Sequence, residues 1–196
     1  MNKKNLKNYW ISPLIILIGI FFFNTSNANV KVKASKQVSN FLNTVQAFAS
    51  EKESLIKIKR SDDLLNMLDL EFMSKATVGK QWKTVNENQK IIFKRKLFSK
   101  FIQFIDLHLE DFKEIKFKEK STKLRGKKLV YVIGSIDTKK IKNLNITWKL
   151  SSKENKILDV EIEKISLIKT QKLEMKKLLK ENKSNFSKFI DIYFKN

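Results

Sequence analysis

The chain has 196 residues, with 41 Lys+Arg against 20 Asp+Glu, no cysteine and one proline, a length suited to one or at most two domains. Without cysteine it is neither a disulfide scaffold nor a thiol redox protein, and with 42% apolar residues and 15 phenylalanines it is too hydrophobic for a disordered basic tail. The net charge of +21 suits nucleic acid, yet only Arg60, Arg95 and Arg125 are arginine, and base reading and bidentate phosphate grip favour the guanidinium fork.

At the N-terminus Lys3, Lys4 and Lys7 precede an apolar run over residues 11–23 and a polar stretch over 24–27, the layout of a signal peptide. The run is 13 residues long, short of the roughly 18 to 20 that span a bilayer. Ser26-Asn27-Ala28 supplies small residues where signal peptidase reads them. Cleavage is predicted after Ala28, with an uncleaved N-terminal anchor as the alternative. Removing residues 1–28 with their three lysines leaves 168 residues, 29–196, and a net charge of +18. A single domain of that size buries close to ~70% of its unfolded surface.

Residues 29–35 read as a polar, frayed lead-in. From Val38 the positions Val38, Phe41, Leu42, Val45, Phe48 and Ala49 follow the spacing of one helical face. After a charged stretch over 51–60, Ser61 with Asp62 and Asp63 marks a helix start, followed by a short helix over 64–68. A second short helix is expected over 69–76, stopped near Gly79, with Trp82 beyond it. The longest helix spans about residues 86–109. Ile91, Phe98, Phe101, Ile102, Ile105 and Leu109 form one stripe on it, and Phe93, Leu97 and Phe104 a second. That width means either two covered faces or one face turned to a cavity, and periodicity leaves both open.

Past Phe112 the period changes to two: Ile115 and Phe117, then 129–136, then Leu144, Ile146, Trp148 and Leu150, then Leu158, Val160 and Ile162. Connectors over 121–126, 137–143 and 151–155 are too short for crossover helices, so four strands form an antiparallel meander. Helical spacing returns near Lys172 and again at Phe186, Phe189, Ile190 and Tyr193, after a break at 182–185. The order of elements predicts an α+β fold.

No catalytic pattern emerges. His108 is the lone histidine and has no obvious metal co-ligand. No phosphate-binding, dinucleotide or nucleophile motif occurs. Asp159, Glu161 and Glu163 share one strand face opposite the apolar one, where solvation is the simple explanation. Drift in composition toward Lys, Asn, Ile and Phe explains the charge, and so does attraction to anionic headgroups at a membrane surface. A broad apolar interior with no reactive centre is better suited to holding something apolar than to transforming it.

Two stretches carry a resemblance. Asp69, Met73, Val78-Gly79, Trp82, Gln89 and Phe93 occur in the order and spacing of one, with Phe104 where a tyrosine is usual, and residues 157–169 carry the other, with Asp159, Val160, Glu163, Ser166 and Leu167 in register. On these the chain resembles the MlaC-type periplasmic phospholipid-binding family, also described as toluene or organic-solvent tolerance auxiliary proteins of an ABC transporter. Departures are Asn155 for a usual Trp, Lys164 for a usual Gly, and Gln171-Lys172 for a Tyr-Arg pair.

The resemblance implies helices on a curved four-stranded antiparallel sheet, an NTF2-like cone enclosing an apolar cavity. It implies a monomeric periplasmic carrier, not an enzyme, without metal or cofactor and without nucleic acid. Its passenger would be phospholipid, moved between an outer-membrane lipoprotein and porin complex and an inner-membrane ABC transporter, with transient membrane contact, to maintain outer-membrane lipid asymmetry. The expected lipid-lining positions are Phe93, Leu97, Phe101, Phe104, Val132, Ile146, Trp148, Val160 and Leu167, with Lys169 and Lys172 at the headgroup or a partner. Two other readings stay open: a hopanoid or other apolar-lipid carrier of the same family, and a basic module on anionic surfaces; an isomerase or dehydratase of similar shape would need an acid or base in the cavity, and none is aimed inward.

Overall fold

The structure, a computed structural model, describes residues 12–181 and 185–193. The three lysines of the predicted signal peptide and most of the break before the last helix lie outside them. Helix α1, Ser12–Ser50, is one continuous element of 39 residues. It runs through the expected lead-in at 29–35, because Ala34 is already core and continues the buried stripe of Val38, Phe41, Leu42, Val45 and Phe48. The cleavage point predicted after Ala28 falls within this helix. Among the described residues no helix is long and apolar enough to cross a membrane.

Helix α2, Ser54–Met67, begins well before the expected start at Ser61. The run from Lys57 to Arg60 contains no glycine or proline to interrupt a helix. Asp69 then caps α3, Leu70–Val78, by accepting the Phe72 N–H at 2.8 Å. Gly79 ends it at φ 73°, a left-handed conformation glycine adopts without a Cβ clash. A 3-10 turn, Gly79–Lys83, carries Trp82 into the interior. Asn86 opens α4, Glu87–Leu107, with a reciprocal capping box: its side chain accepts the Gln89 N–H at 2.9 Å, and its own N–H donates to Gln89 at 3.2 Å. Helix α5, Leu109–Lys113, leads into the sheet.

The sheet is an antiparallel meander of five strands in sequence order: β1 Lys116–Arg125, β2 Leu129–Asp137, β3 Leu144–Ser151, β4 Ile157–Ile162 and β5 Ile165–Ser166. Two expectations are corrected. Five strands replace four, because the chain turns back after Ile162 for two more residues. Residues 121–125, expected as a connector, are strand. As an edge strand, β1 is partly exposed along its length, so it shows no clean alternation for a period of two to reveal. It carries a bulge at Lys120, facing Gly134. A Cβ at Gly134 would fall on the Lys118 carbonyl and the Phe117 ring.

Helix α6, Leu167–Glu181, and helix α7, Phe186–Tyr193, complete an α+β fold. Two apolar cores result. One joins α1 to Val130, Val132, Ile136, Ile146, Trp148 and Leu150 on the inner face of the sheet. The other gathers Val78, Trp82 and Phe93 with Met175, Leu179, Phe189, Ile190 and Tyr193 of the last two helices.

Candidate functional site

A cavity of about 340 Å³ lies between α4 and the end of the sheet inner face where β2 meets β3. That size falls within the roughly 300–1,000 Å³ range of small-molecule sites. Helices α1 and α4 and the sheet form most of its wall. Helix α1 gives Phe41, Leu42 and Val45; α4 gives Leu97, Phe101, Phe104 and Ile105; the sheet gives Ile136, Leu144, Ile146, Trp148, Val160 and Ile162. Phe41 ties them together, tilted on Phe101 at 6.0 Å and edge-on to Trp148 at 5.4 Å. The backbone N–H of Asp69 donates to the Ile157 carbonyl at 2.9 Å, which fixes the α2–α3 junction to β4 and holds Leu68, Leu70 and Met73 over one side.

The opening is marked by lining residues that also face solvent: Phe104 is 51% exposed, Ile141 51% and Leu167 47%. Polar groups sit at this edge. His108 Nδ1 is 2.9 Å from the Phe104 carbonyl oxygen, and Lys140 pairs with Asp111 at 3.2 Å, joining the β2–β3 loop to α5. No titratable residue was expected to face inward; His108, Asp111 and Lys140 border the cavity, and Asp159 adjoins it with its carboxylate engaged by Lys149, Ser166 and Ile168. Among the described residues no cluster of His, Asp and Glu could hold a metal ion.

Asp159 corrects the reading of its strand face as solvated. It is buried, and it accepts the Ser166 hydroxyl at 2.7 Å, the Lys149 ammonium at 3.0 Å and the Ile168 N–H at 3.2 Å. Ser166 Oγ in turn accepts the Lys169 N–H at 3.1 Å, closing the first turn of α6. A carboxylate at a helix N-terminus is favourably placed against the dipole. Burial disfavours the charged form of Lys149, but its hydrogen bonds to Glu161 and Asp159 outweigh that and raise its pKa above the usual lysine value. This network fastens α6 to β4 beside the cavity.

Seven of the nine expected lining positions reach the wall: Leu97, Phe101, Phe104, Ile146, Trp148, Val160 and Leu167. Phe93 does not. It is buried in the second core, edge-on to Trp82 at 6.0 Å. Val132 has the expected inward orientation, but the α1 core covers that stretch of the sheet. Lys169 and Lys172 are exposed on α6 and do not line the cavity; the Lys172 stem lies over Gly79. The lysine at the edge is Lys140. Its signal was the loop Thr-Lys-Lys-Ile-Lys-Asn over 138–143, which reads as a polar connector unless the exposed Ile141 within it is noticed.

The apolar surface of α4 is divided three ways. Ile91, Phe98 and Ile102, with Lys94 and Arg95, line an open groove of about 510 Å³ against Leu65 of α2. Leu97, Phe101, Phe104 and Ile105 face the cavity, and Phe93 faces the second core. Both alternatives for the wide apolar face therefore hold, on different residues.

The family model described as MlaC protein matches residues 32–192. The chain belongs to the MlaC protein family. Among curated proteins none matches it significantly by sequence. A solved structure of similar fold is the phospholipid-binding protein from Ralstonia solanacearum in complex with a phospholipid. It is 13% identical with a TM-score of 0.67, over 84% of this chain and 96% of that one. With the MlaC assignment, the run from Asp69 to Phe93 gains a structural meaning. Asp69 caps α3, Gly79 ends it, Trp82 and Phe93 pack in the second core, and Gln89 completes the cap of α4. These residues build the frame on which the cavity wall stands.

Proposed function

We propose that this MlaC-family chain is a periplasmic phospholipid carrier, exported by cleavage after Ala28 and acting as a monomer. Its passenger would sit with acyl chains in the cavity between α4 and the sheet, cone-like in shape, and with the headgroup at the opening. It would shuttle lipid between an outer-membrane complex and an inner-membrane ABC transporter and so maintain outer-membrane asymmetry. The observation that carries the reading is the wall itself: predominantly aliphatic and aromatic, with His108, Asp111, Thr138 and Lys140 from α4–α5 and the β2–β3 loop and the buried Asp159 of β4 as its few polar members. Family membership and the phospholipid held by the neighbour from Ralstonia solanacearum support it.

A carrier is favoured over an enzyme because the titratable lining groups are engaged structurally. Asp159 holds three donors, Asp111 holds Lys140, and His108 leans on the Phe104 carbonyl. At about 0.8 kcal/mol per buried methylene, two acyl chains would gain far more than any measured affinity if drawn from water. Drawn from a bilayer they are already dry, so the net preference for carrier over membrane is small and both loading and delivery are possible.

Native mass spectrometry with solvent extraction, on protein purified from an exporting host without detergent, tests this. A stoichiometric excess that resolves into phospholipid is expected. A clean protein mass, with no uptake from anionic vesicles, would overturn the reading.

A further inference from the structure

The β2–β3 loop, residues 138–143, is tightly built. The Thr138 N–H donates to the Ile141 carbonyl at 2.8 Å, and the Ile141 N–H donates to the Thr138 hydroxyl at 3.1 Å. Asn143 adopts a left-handed φ of 55° and donates its N–H to the Asp137 carboxylate at 2.8 Å. This construction sets Ile141 at the cavity opening and flanks it with Lys139, Lys140 and Lys142, all exposed. Lys140 is tethered to Asp111, Lys142 donates to the Thr138 carbonyl at 2.8 Å, and Lys139 lies near the exposed Glu110 of α5, whose ion pair is with Lys113.

The acids at this end of the sheet are turned to internal work. Asp137 holds Asn143 and Lys118, and Glu163 holds the Asn145 N–H at 2.7 Å. The apolar rim continues around the opening through Phe104 and Leu167. Ile165, also exposed, follows the β4–β5 turn at the same end of the sheet. Exposed apolar side chains are ordinarily scattered, and others lie on α2 and at Ile91 and Ile92 of α4, but Phe104, Ile141 and Leu167 share this one opening with a lysine loop beside them.

We propose that this rim docks on the surface of an anionic phospholipid bilayer, with Ile141 entering the interface and Lys139 and Lys142 on the headgroups. The proposal rests on the phospholipid-carrier reading and adds the surface through which the cavity meets its lipid source. Lysine is a hydrated point charge with no bidentate geometry to satisfy, which suits a smeared negative surface. One inserted side chain and a few surface lysines give weak, reversible attachment, as a shuttle requires.

The test is co-sedimentation with vesicles of phosphatidylcholine, with and without phosphatidylglycerol, using protein from an exporting host in detergent-free buffer. Each lysine near an anionic surface is worth about fivefold in affinity, so Lys139→Glu with Lys142→Glu should weaken binding to the anionic vesicles by at least about 25-fold. Lys127→Glu with Lys128→Glu, in the β1–β2 turn at the opposite end of the sheet, makes the same change in net charge and should weaken it less than about threefold. Ile141→Ser, which leaves the charge unchanged, should also weaken it. All variants share one N-terminus, so any affinity of that segment is common to them.

Equal losses for the two lysine pairs, no loss for either, or equal binding of the wild type to neutral and anionic vesicles would overturn the proposal. Extraction of the same samples separates the two claims. Lipid retained by Lys139→Glu/Lys142→Glu while vesicle binding falls supports docking. No lipid in any sample overturns the carrier reading and leaves the vesicle result to decide the docking surface.

Discussion

Lys164 takes φ 66° and Glu163 before it φ 48°, the paired positive values of a tight two-residue hairpin turn. An L-residue in this region suffers a Cβ clash costing about 1 kcal/mol or more. The family resemblance places glycine at position 164, and the structure shows what a glycine there would do: turn β4 into β5 without strain. Lys164→Gly is therefore expected to raise stability by about 1 kcal/mol, read as a higher midpoint in urea with an unchanged slope. Asn143 and Asn155 also take positive φ, but asparagine tolerates it better, and the Asn155 side chain also donates to the Lys33 carbonyl of α1 at 3.1 Å. At this scale periodicity gave the face of Asp159 correctly and its environment wrongly. An alternating pattern identifies which side chains share a side of a strand; it carries no information on whether a later helix covers that side, and here the first turn of α6 does.

Helix α4 was legible because its start carries a complete chemical signature in Asn86 and Gln89 and its length is unbroken by glycine or proline. The use of its faces was not, because the partition among groove, cavity and second core depends on where α2, the sheet and α7 lie. Phe104 and Trp148 show the difference. Both line the cavity, but Phe104 is 51% exposed at the rim and Trp148 4% exposed against Phe41. Phe104→Asp should remove most of the bound lipid while moving the thermal midpoint by no more than about 2 °C, as for other surface substitutions. Trp148→Glu buries an unpaired charge and should cost about 4 kcal/mol or more in stability together with the lipid. Thermal unfolding paired with lipid extraction reads both. A Phe104→Asp protein as unstable as Trp148→Glu would make the rim part of the core. The edge strand β1 was only half legible for a related reason: its exposed lysines and short polar residues match the signature of a loop as well as that of a protected sheet edge.

For the whole molecule, charge decides the response to pH. Glu71 is held below the usual carboxylate range by its hydrogen bond from Lys94 at 2.9 Å, with a further bond from the Trp82 indole. Asp137 is lowered by the Asn143 N–H and by Lys118, and Glu163 by the Asn145 N–H. Groups whose folded pKa is depressed contribute stability that is complete above the unfolded value near ~4 and is lost as pH falls through the folded value. Protonation also leaves 41 Lys+Arg without the 20 carboxylates that offset them, and self-repulsion adds to the loss. The thermal midpoint should be flat from pH ~7 to ~5 and fall below about pH 4, less steeply in added salt. A midpoint that rises on acidification would contradict these pairings. The α+β class and the meander were readable from the change of period at Phe112 and from short connectors, whereas the fifth strand and the two separate cores depend on contacts that no local pattern encodes. The central claim, that the cavity between α4 and the sheet holds acyl chains, is tested most directly by photocrosslinking. Protein would be loaded with a phospholipid carrying a diazirine on its acyl chain, irradiated, and mapped by peptide mass spectrometry. Adducts on Leu97, Phe101 and Phe104 of α4 and on Ile146 or Trp148 of β3 are expected; labelling confined to the outer groove or to scattered surface positions would contradict the account.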